Sequence, residues 1–178
     1  VFLSDNFARQ TKRGGAWMSA YRWQSRADGE TIPIIVNNNN FAKAPPGEQT
    51  LLSADDVRTL FHEFGHGLHG LLSQVTFERL SGTQVLRDFV ELPSQIFEHW
   101  AFEPEVLGRH ARHHATGEAL PAEAIEKLAR ARRFNQGFEA VEYTSCALVD
   151  MALHANADPA GADIDAFRST YPFSPAFL

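Results

Sequence analysis

Two histidines and a glutamate between residues 62 and 66 have the types and the spacing to do chemistry on a metal ion. His62 and His66 are four residues apart in a helix-like stretch, so their rings lie on one face, one turn apart. Two imidazole nitrogens placed this way can bind a single zinc ion, and Glu63 then lies beside the ion rather than on it. There it can take a proton from a zinc-bound water, which is the arrangement typical of a metallopeptidase.

A third zinc ligand is expected from a second helix. Catalytic zinc takes three protein ligands and keeps a fourth position for water, and two histidines with one glutamate form a known set. Glu91 follows His66 by 25 residues, which is long enough for the first helix to end, the chain to turn through 81–83, and a second helix to return antiparallel. The sequence therefore predicts one zinc ion per chain, held by His62, His66 and Glu91.

Three polar residues flank Glu91 at helical spacing. Asp88, Ser94 and Glu98 lie three before, three after and seven after it, on the same side of a helix. A side chain there can accept the free ring N–H of a metal-binding histidine. We predict this role for Asp88 and Glu98, and the alternative for each is a solvated helix face.

The other histidines carry weaker predictions. His69 lies seven residues after His62 on nearly the same stripe, but helical rise takes it too far along to complete the same tetrahedron. Packing is favoured for it over a contact with substrate or with a zinc ligand. His110, His113 and His114 have no carboxylate or cysteine at ligand spacing, so a solvated helix end is favoured over a second metal cluster.

A β-hairpin over residues 15–41 is expected ahead of the first metal-site helix. Residues 16–23 mix aromatic and polar side chains, Asp28-Gly29 is a hairpin turn signal, and residues 32–36 are β-branched and apolar. The run of four asparagines at 37–40 is expected to end the strand. A turn is its ordinary role, and contact of these amides with a substrate is the alternative.

The rest of the chain is predicted to be helical. Ser53 is a plausible N-cap for a helix over about 54–74, and a second zinc-site helix is expected over about 88–102, with Pro93 near its first turn or at a kink. Three further helices are expected over residues 103–114, 121–133 and 134–155. The fold class is therefore mainly α, with a small hairpin or sheet before the helix that contains His62.

Composition limits the classes of protein. A chain of 178 residues with 44% hydrophobic side chains can bury the core of one domain. The net charge of −6 and the lack of a basic block argue against nucleic acid or an anionic membrane as partner. A single cysteine and no long apolar span favour a soluble protein of the reducing cytoplasm. The ends show no boundary sequences, so a piece of a longer protein is expected, and nothing predicts the oligomeric state.

Several stretches resemble one enzyme family. The blocks His-Glu-Phe-Gly-His at 62–66 and Asp-Phe-Val-Glu-Leu-Pro-Ser-Gln at 88–95 resemble the catalytic region of the M3 zinc metallopeptidases, the thimet oligopeptidase group. Within that group the chain is most similar to the bacterial peptidyl-dipeptidases. The resemblance covers most of residues 7–155, with matching segments at 12–18, 36–43, 51–70, 81–83 and 87–100, and less distinctive ones at 133–138 and 147–151.

The resemblance implies a fold, roles and a substrate class. It implies a helical zincin-type catalytic region in which His62, His66 and Glu91 hold zinc and Glu63 is the general base. It also implies short, unstructured peptides as substrates, admitted to a deep cleft between helical halves, with release of C-terminal dipeptides. Cleavage by an oligopeptidase A or thimet-like endopeptidase is the alternative within the family.

The resemblance also implies that parts of the family's cleft lie outside these residues. The family has a Gly- and Tyr-rich segment, beyond the last residue here, whose His and Tyr bind substrate and the developing oxyanion. Tyr171 stands in a sequence that does not reproduce that segment, so no role is transferred to it. The large N-terminal helical portion has no counterpart either. Residues 1–178 are therefore expected to be a partial catalytic domain, and a non-catalytic zinc-binding helical fragment is the alternative.

Overall fold

The computed structural model describes residues 1–158 together with 161, 163, 166 and 170; Tyr171 lies outside the described residues. Helices dominate, with a small sheet ahead of the longest helix of the first half, so the expected mainly helical class is confirmed. The elements are β1 Phe2–Phe7, β2 Trp17–Arg22, β3 Ile34–Phe41, α1 Ala54–Leu71, α2 Arg87–Val90, α3 Leu92–Ala101, α4 Pro104–His110, α5 Ala122–Ala131 and α6 Gln136–His154, with a 3₁₀ turn at Glu78–Leu80.

The chain divides into two compact units, Val1–Pro121 and Ala122–Leu178. The first unit contains the sheet and α1–α4, and the second contains α5 and α6. The single domain expected from length stays a prediction. Among the described residues, no helix combines the length and the apolar character needed to cross a membrane.

The sheet has three strands in the order β1-β3-β2. β2 and β3 pair antiparallel, which is the hairpin expected over 15–41. β1 pairs parallel with β3 from the other side, and the sequence did not predict this strand. β3 is therefore the central strand, and β2 is left at the edge nearest the metal-site residues described below.

The prediction that residues 37–40 end the strand is wrong, because β3 continues through all four asparagines to Phe41. Pairing with strands on both sides satisfies the backbone, and two of the four side-chain amides donate hydrogen bonds, whereas the buried amide of Asn37 has no partner among the described residues. Asn39 Nδ2 donates to Asn6 Oδ1 at 3.0 Å, and Asn40 Nδ2 donates to the carbonyls of Arg13 and Gly15. Asn37 and Asn39 are almost fully buried, so a turn is excluded and these amides belong to the core of the sheet.

Helix α1 begins at the predicted cap. The Ser53 hydroxyl accepts the Asp56 N–H, and the Asp56 carboxylate accepts the Ser53 N–H, which satisfies two of the N–H groups that a helix leaves free. The helix ends at Leu71, three residues before the predicted end. There the Ser73 hydroxyl donates to the His69 carbonyl and accepts the Gly82 N–H, so this hydroxyl ties the end of α1 to the following loop.

The helix predicted over 88–102 is instead two helices that meet at Glu91. Glu91 ends α2 and begins α3, with φ −86° and ψ −5°. Pro93 lies in the first turn of α3, where its missing N–H costs no helical hydrogen bond, but it cannot extend the ladder of α2. The three later helices form within the predicted ranges with shorter bounds, as α4, α5 and α6.

Three glycines let α1 approach its neighbours closely. A Cβ at Gly65 would lie 2.6 Å from both the Pro93 carbonyl oxygen and Ser94 Cα, so α1 and α3 touch backbone to backbone there. Cβ atoms at Gly67 and Gly70 would meet side chains of the sheet. α1 is thus fixed between the sheet and α3, and the contact at Gly65 sets how near Glu91 comes to the two histidines.

We expect Gly65→Ala to weaken the fold and the metal site together. Its methyl group needs space that backbone atoms of α3 occupy, and such overpacking typically costs about 1–3 kcal/mol. Urea unfolding gives the change in the free energy of unfolding, and titration with zinc gives the loss of affinity. Gly108→Ala in α4 is the matched control, because nothing lies within 4 Å of its added Cβ, and it should raise stability slightly. Equal stability of the two variants would contradict this packing argument.

Candidate metal centre

The three predicted ligands lie together in the structure. Glu91 Oε2 is 3.3 Å from His62 Nε2 and 3.1 Å from His66 Nε2. One donor atom from each of the three residues lies within 4.8 Å of the other two. Helix α1 supplies both histidines from adjacent turns, and the break between α2 and α3 supplies the carboxylate. Two nitrogens and one oxygen converging on a point is a donor set that suits zinc.

The charges at this site also suit a metal ion. Burial lowers the pKa of His66, and the nearby His62 adds to this, while Glu91 opposes it. Burial raises the pKa of Glu91, but the hydrogen bond from Ser94 and the charges of both histidines outweigh burial, so its pKa falls below the usual value. His66 therefore favours the neutral form and Glu91 the ionised form, which are the forms that bind metal.

Outer contacts hold the ligands, though not entirely as predicted. Glu98 Oε1 lies 2.7 Å from His62 Nδ1, the contact expected for this residue. Ser94 bonds Glu91 rather than a histidine, with its hydroxyl 2.8 Å from Glu91 Oε2. Asp88 is exposed at a different cleft beside Leu86, and the described residues give it no hydrogen bond. A role for Asp88 stays a prediction.

Glu63 is a buried carboxyl beside the three converging residues. It is 6% exposed, and its Oε2 has no hydrogen-bond partner among the described residues. Burial is the main cause that raises its pKa; Glu91 adds to this, while His62 and a backbone hydrogen bond from Met18 oppose it. An unpartnered buried carboxyl oxygen is costly unless something else binds it. Glu63 thus has a carboxyl oxygen left over for a hydrogen bond with a group that enters the cleft.

A cleft of about 340 Å³ opens over these residues. Its walls include two features that the sequence did not predict as parts of a site, the start of strand β2 and Thr83 of the loop before α2. The Arg13 guanidinium lies 4.7 Å over the Trp17 ring, which fixes one wall. Gly82, at φ +56°, packs against Trp23 and places Thr83. The lining consists of Ala16, Trp17, Met18, His62, Glu63, His66, Thr83, Val90 and Glu91.

Four other histidines, for which the sequence left a metal or substrate role open, lie elsewhere. His69 lines a separate apolar cavity, with its ring edge toward Phe89 at a centroid distance of 6.1 Å. His110 lines another apolar cavity, and the rings of His113 and His114 lie 4.9 Å apart. Within the described part of the chain, none of these four belongs to a group of converging metal ligands. Packing for His69 remains the favoured interpretation.

We expect Glu98→Gln to weaken zinc binding by about 10–100-fold, because the carboxylate that contacts His62 Nδ1 orients the ring and increases its basicity. Competition with a chelating dye measures the affinity. Glu126→Gln in α5 is the matched control, since Glu126 is exposed and its carboxylate has no hydrogen bond among the described residues, and it should change the affinity by less than about twofold. Equal losses of zinc affinity in the two variants would show that the missing negative charge, and not the missing contact with His62, weakens binding.

Comparison with known proteins places these residues in a family. A family model described as "Peptidase family M3" matches residues 1–172. The chain is 49% identical to the dipeptidyl carboxypeptidase of Escherichia coli (strain K12) over 169 residues, which cover 94% of this chain and 25% of that protein. It is 49% identical to the dipeptidyl carboxypeptidase of Salmonella typhimurium over 154 residues, or 86% of this chain and 22% of that protein.

A second kind of relative is less similar. The chain is 41% identical to oligopeptidase A of Escherichia coli (strain K12) over 161 residues, or 89% of this chain and 24% of that protein. The chain therefore spans about a quarter of the length of the curated relatives that it matches.

Proposed function

Because this chain belongs to peptidase family M3, we propose that it forms the metal-binding core of a zinc-dependent metallopeptidase that hydrolyses peptide bonds in short peptides. The observation that supports this most directly is the convergence of His62, His66 and Glu91 beside the buried, unpartnered carboxyl of Glu63. The mainly helical chain with a small sheet fits a zincin-type catalytic region. Peptides are the substrates proposed for it.

Zinc is the metal that these donors fit best. Two imidazoles and one carboxylate match catalytic zinc, whereas magnesium and calcium prefer oxygen ligands throughout. His62, His66 and Glu91 would hold one ion per chain. When bound, zinc supplies a Lewis acid that polarises a carbonyl and makes water nucleophilic near neutral pH.

The residues of the chain then perform the proton transfers. Glu63 lines the cleft, and its Oε2 has no partner among the described residues, so the carboxylate can accept the proton of the attacking water. Glu63 can then pass that proton to the leaving amine. Glu98 holds His62 in orientation throughout.

Release of C-terminal dipeptides is the proposed mode of cleavage. The two dipeptidyl carboxypeptidases are each 49% identical to this chain, against 41% for oligopeptidase A. Endopeptidase cleavage of the oligopeptidase type is the second candidate, since oligopeptidase A matches 89% of the chain. We also propose a cytoplasmic location, supported by the single cysteine of the sequence.

Paired peptides with free and amidated C-termini separate these candidates. The assay uses the natural polypeptide that carries residues 1–178, loaded with zinc. A dipeptidase that recognises the terminal carboxylate should release a dipeptide from the free acid and leave the amide intact. Internal cleavage of both peptides would favour the oligopeptidase mode. Full zinc loading with neither peptide cut would favour the non-catalytic zinc-binding alternative.

A further inference from the structure

Ser94 is a fully buried hydroxyl that lies directly against a candidate metal ligand. Its side chain is 0% exposed, and its Oγ is 2.8 Å from Glu91 Oε2 and 2.9 Å from the Glu91 carbonyl oxygen. The single hydroxyl proton is therefore shared between the carbonyl oxygen and the carboxylate of the same residue, with the carboxylate oxygen the nearer of the two. Because Glu91 stands at the break between α2 and α3, both its backbone and its carboxylate need a local support.

The oxygen that Ser94 binds is the one that faces the histidines. Glu91 Oε2 receives the Ser94 hydroxyl and is also the atom that lies 3.1 Å from His66 Nε2 and 3.3 Å from His62 Nε2. The Glu91 side chain is 48% exposed, so packing alone does not fix its rotamer. A glutamate side chain that is this exposed can adopt several rotamers. The bond from Ser94 selects the one that points at the metal position.

The surroundings of Ser94 make this bond effective. Gly65 of α1 lies against Ser94 Cα, and a side chain at position 65 would collide with it. This close contact seals Ser94 from solvent, so water does not compete for its hydroxyl, and hydrogen bonds in such low-dielectric surroundings are stronger than in water. Gly65 and Ser94 thus both affect the Glu91 carboxylate. Gly65 sets how closely α3 approaches α1, and Ser94 sets the direction in which the carboxylate points.

A buried serine in a helix ordinarily does something else. Its hydroxyl usually bonds the carbonyl four residues earlier, as Ser145 does in α6, where Oγ donates to the Val141 carbonyl at 2.8 Å. Ser94 lies 2.9 Å from the carbonyl three residues earlier, but unlike Ser145 it also reaches a side-chain carboxylate, at 2.8 Å. Ser145 is 8% exposed and so provides a matched control, a buried helical serine whose hydroxyl bonds a carbonyl of its own helix.

We propose that Ser94 is a positioning residue that orients the Glu91 carboxylate for metal binding. It holds Oε2 on the side of the two histidines, so that Glu91 would offer this oxygen to an ion bound there. This inference rests on the proposed metal site, and it assigns to Ser94 a partner different from the histidine N–H that its helical spacing suggested.

The test compares Ser94→Ala, Ser94→Thr and Ser145→Ala with the unmodified protein. Zinc affinity is measured by chelator competition, and the coordination of the site by the visible spectrum of the cobalt(II)-loaded protein. Ser94→Ala should bind zinc about 10–100-fold more weakly, the usual effect of losing an outer partner of a ligand. Its cobalt spectrum should shift even at saturation, because the freed carboxylate can bind through both oxygens. Ser94→Thr, which keeps the hydroxyl, should recover the spectrum, and Ser145→Ala should leave affinity and spectrum unchanged.

A purely structural role would give a different pattern. Lost packing would lower the urea midpoint of the metal-free protein but leave the saturated cobalt spectrum in place. The proposal is overturned if Ser94→Ala matches the unmodified protein in affinity and spectrum, or if Ser94→Thr folds and still behaves like Ser94→Ala. Failure of the unmodified protein to bind zinc or cobalt would instead refute the proposed metal site itself, which the same titration reports separately.

Discussion

Glu63→Gln is expected to keep its zinc and to lose about 10²–10⁴-fold in the rate of peptide hydrolysis, equivalent to about 3–5 kcal/mol of barrier. Glutamine has nearly the shape of glutamate but cannot accept the proton of the attacking water. Glu63 is not among the three residues whose donor atoms converge, so its replacement should leave metal binding intact. The loss should appear in kcat, because the amide removes a proton acceptor and fills the same space.

The measurement for Glu63→Gln pairs two quantities in the natural polypeptide that carries this chain. Zinc content per folded chain is measured after dialysis, and kcat is measured on a short peptide. Glu126→Gln, an exposed residue of α5, controls for the loss of one negative charge and should be fully active. Unchanged hydrolysis by Glu63→Gln would remove Glu63 from the mechanism. Loss of zinc would show instead that Glu63 is part of the metal site.

Glu91→Ala is expected to lower the zinc affinity by more than about 100-fold. This is a larger loss than replacement of any residue that only contacts a ligand should cause. The substitution removes one of three protein ligands and leaves two histidines alone on α1. The Glu91 side chain is 48% exposed, so its truncation should cost little stability in the metal-free protein. Weak binding can therefore be assigned to the missing ligand and not to unfolding.

A ranking of variants makes the prediction for Glu91 sharper. Zinc affinity should fall most in Glu91→Ala, less in Glu98→Gln, and hardly at all in Glu126→Gln. Circular dichroism of the metal-free proteins shows whether each variant is folded, and chelator competition gives the affinities. A folded Glu91→Ala that binds zinc as tightly as Glu98→Gln would mean that the third ligand lies elsewhere.

Helical spacing accounts for the part of the site that could be predicted. The four-residue interval between His62 and His66 fixes their common direction as soon as the segment is a helix. The known ligand sets of zinc led to Glu91, and its interval to Glu98 predicted that Glu98 lies near a metal-binding histidine, which in the structure is His62. The structure brings these four residues together, because short-range periodicity and donor chemistry are both visible in a sequence.

The features that were missed depend on contacts between distant segments. Strand β1 pairs parallel with β3 across more than 30 residues, and nothing local in Phe2–Phe7 indicates that partner. The asparagine run resembles a turn by composition, yet pairing on both sides makes it a strand. Gly65 has no distinctive sequence signal, although its lack of a side chain decides how closely α3 approaches.

The sequence indicated the helix break at Glu91 only in part. Pro93 indicated a first turn or a kink, but not that Glu91 itself would be the junction of two helices. Ser94 was one of three residues placed where a metal-binding histidine could be reached, whereas its hydroxyl lies 2.8 Å from the Glu91 carboxylate. Helical spacing allows both contacts and does not choose between them.

The most direct test of the metal centre is the position of zinc in a crystal of the zinc-loaded protein, located by anomalous scattering at the zinc edge. The account predicts one peak per chain, about 2.0–2.2 Å from His62 Nε2, His66 Nε2 and a carboxylate oxygen of Glu91. It also predicts a hydrogen bond between the Glu98 carboxylate and His62 Nδ1, and no bond from Glu63 to the ion. A peak at His69 or at the His113–His114 pair, or none between α1 and Glu91 in fully loaded protein, would contradict the account.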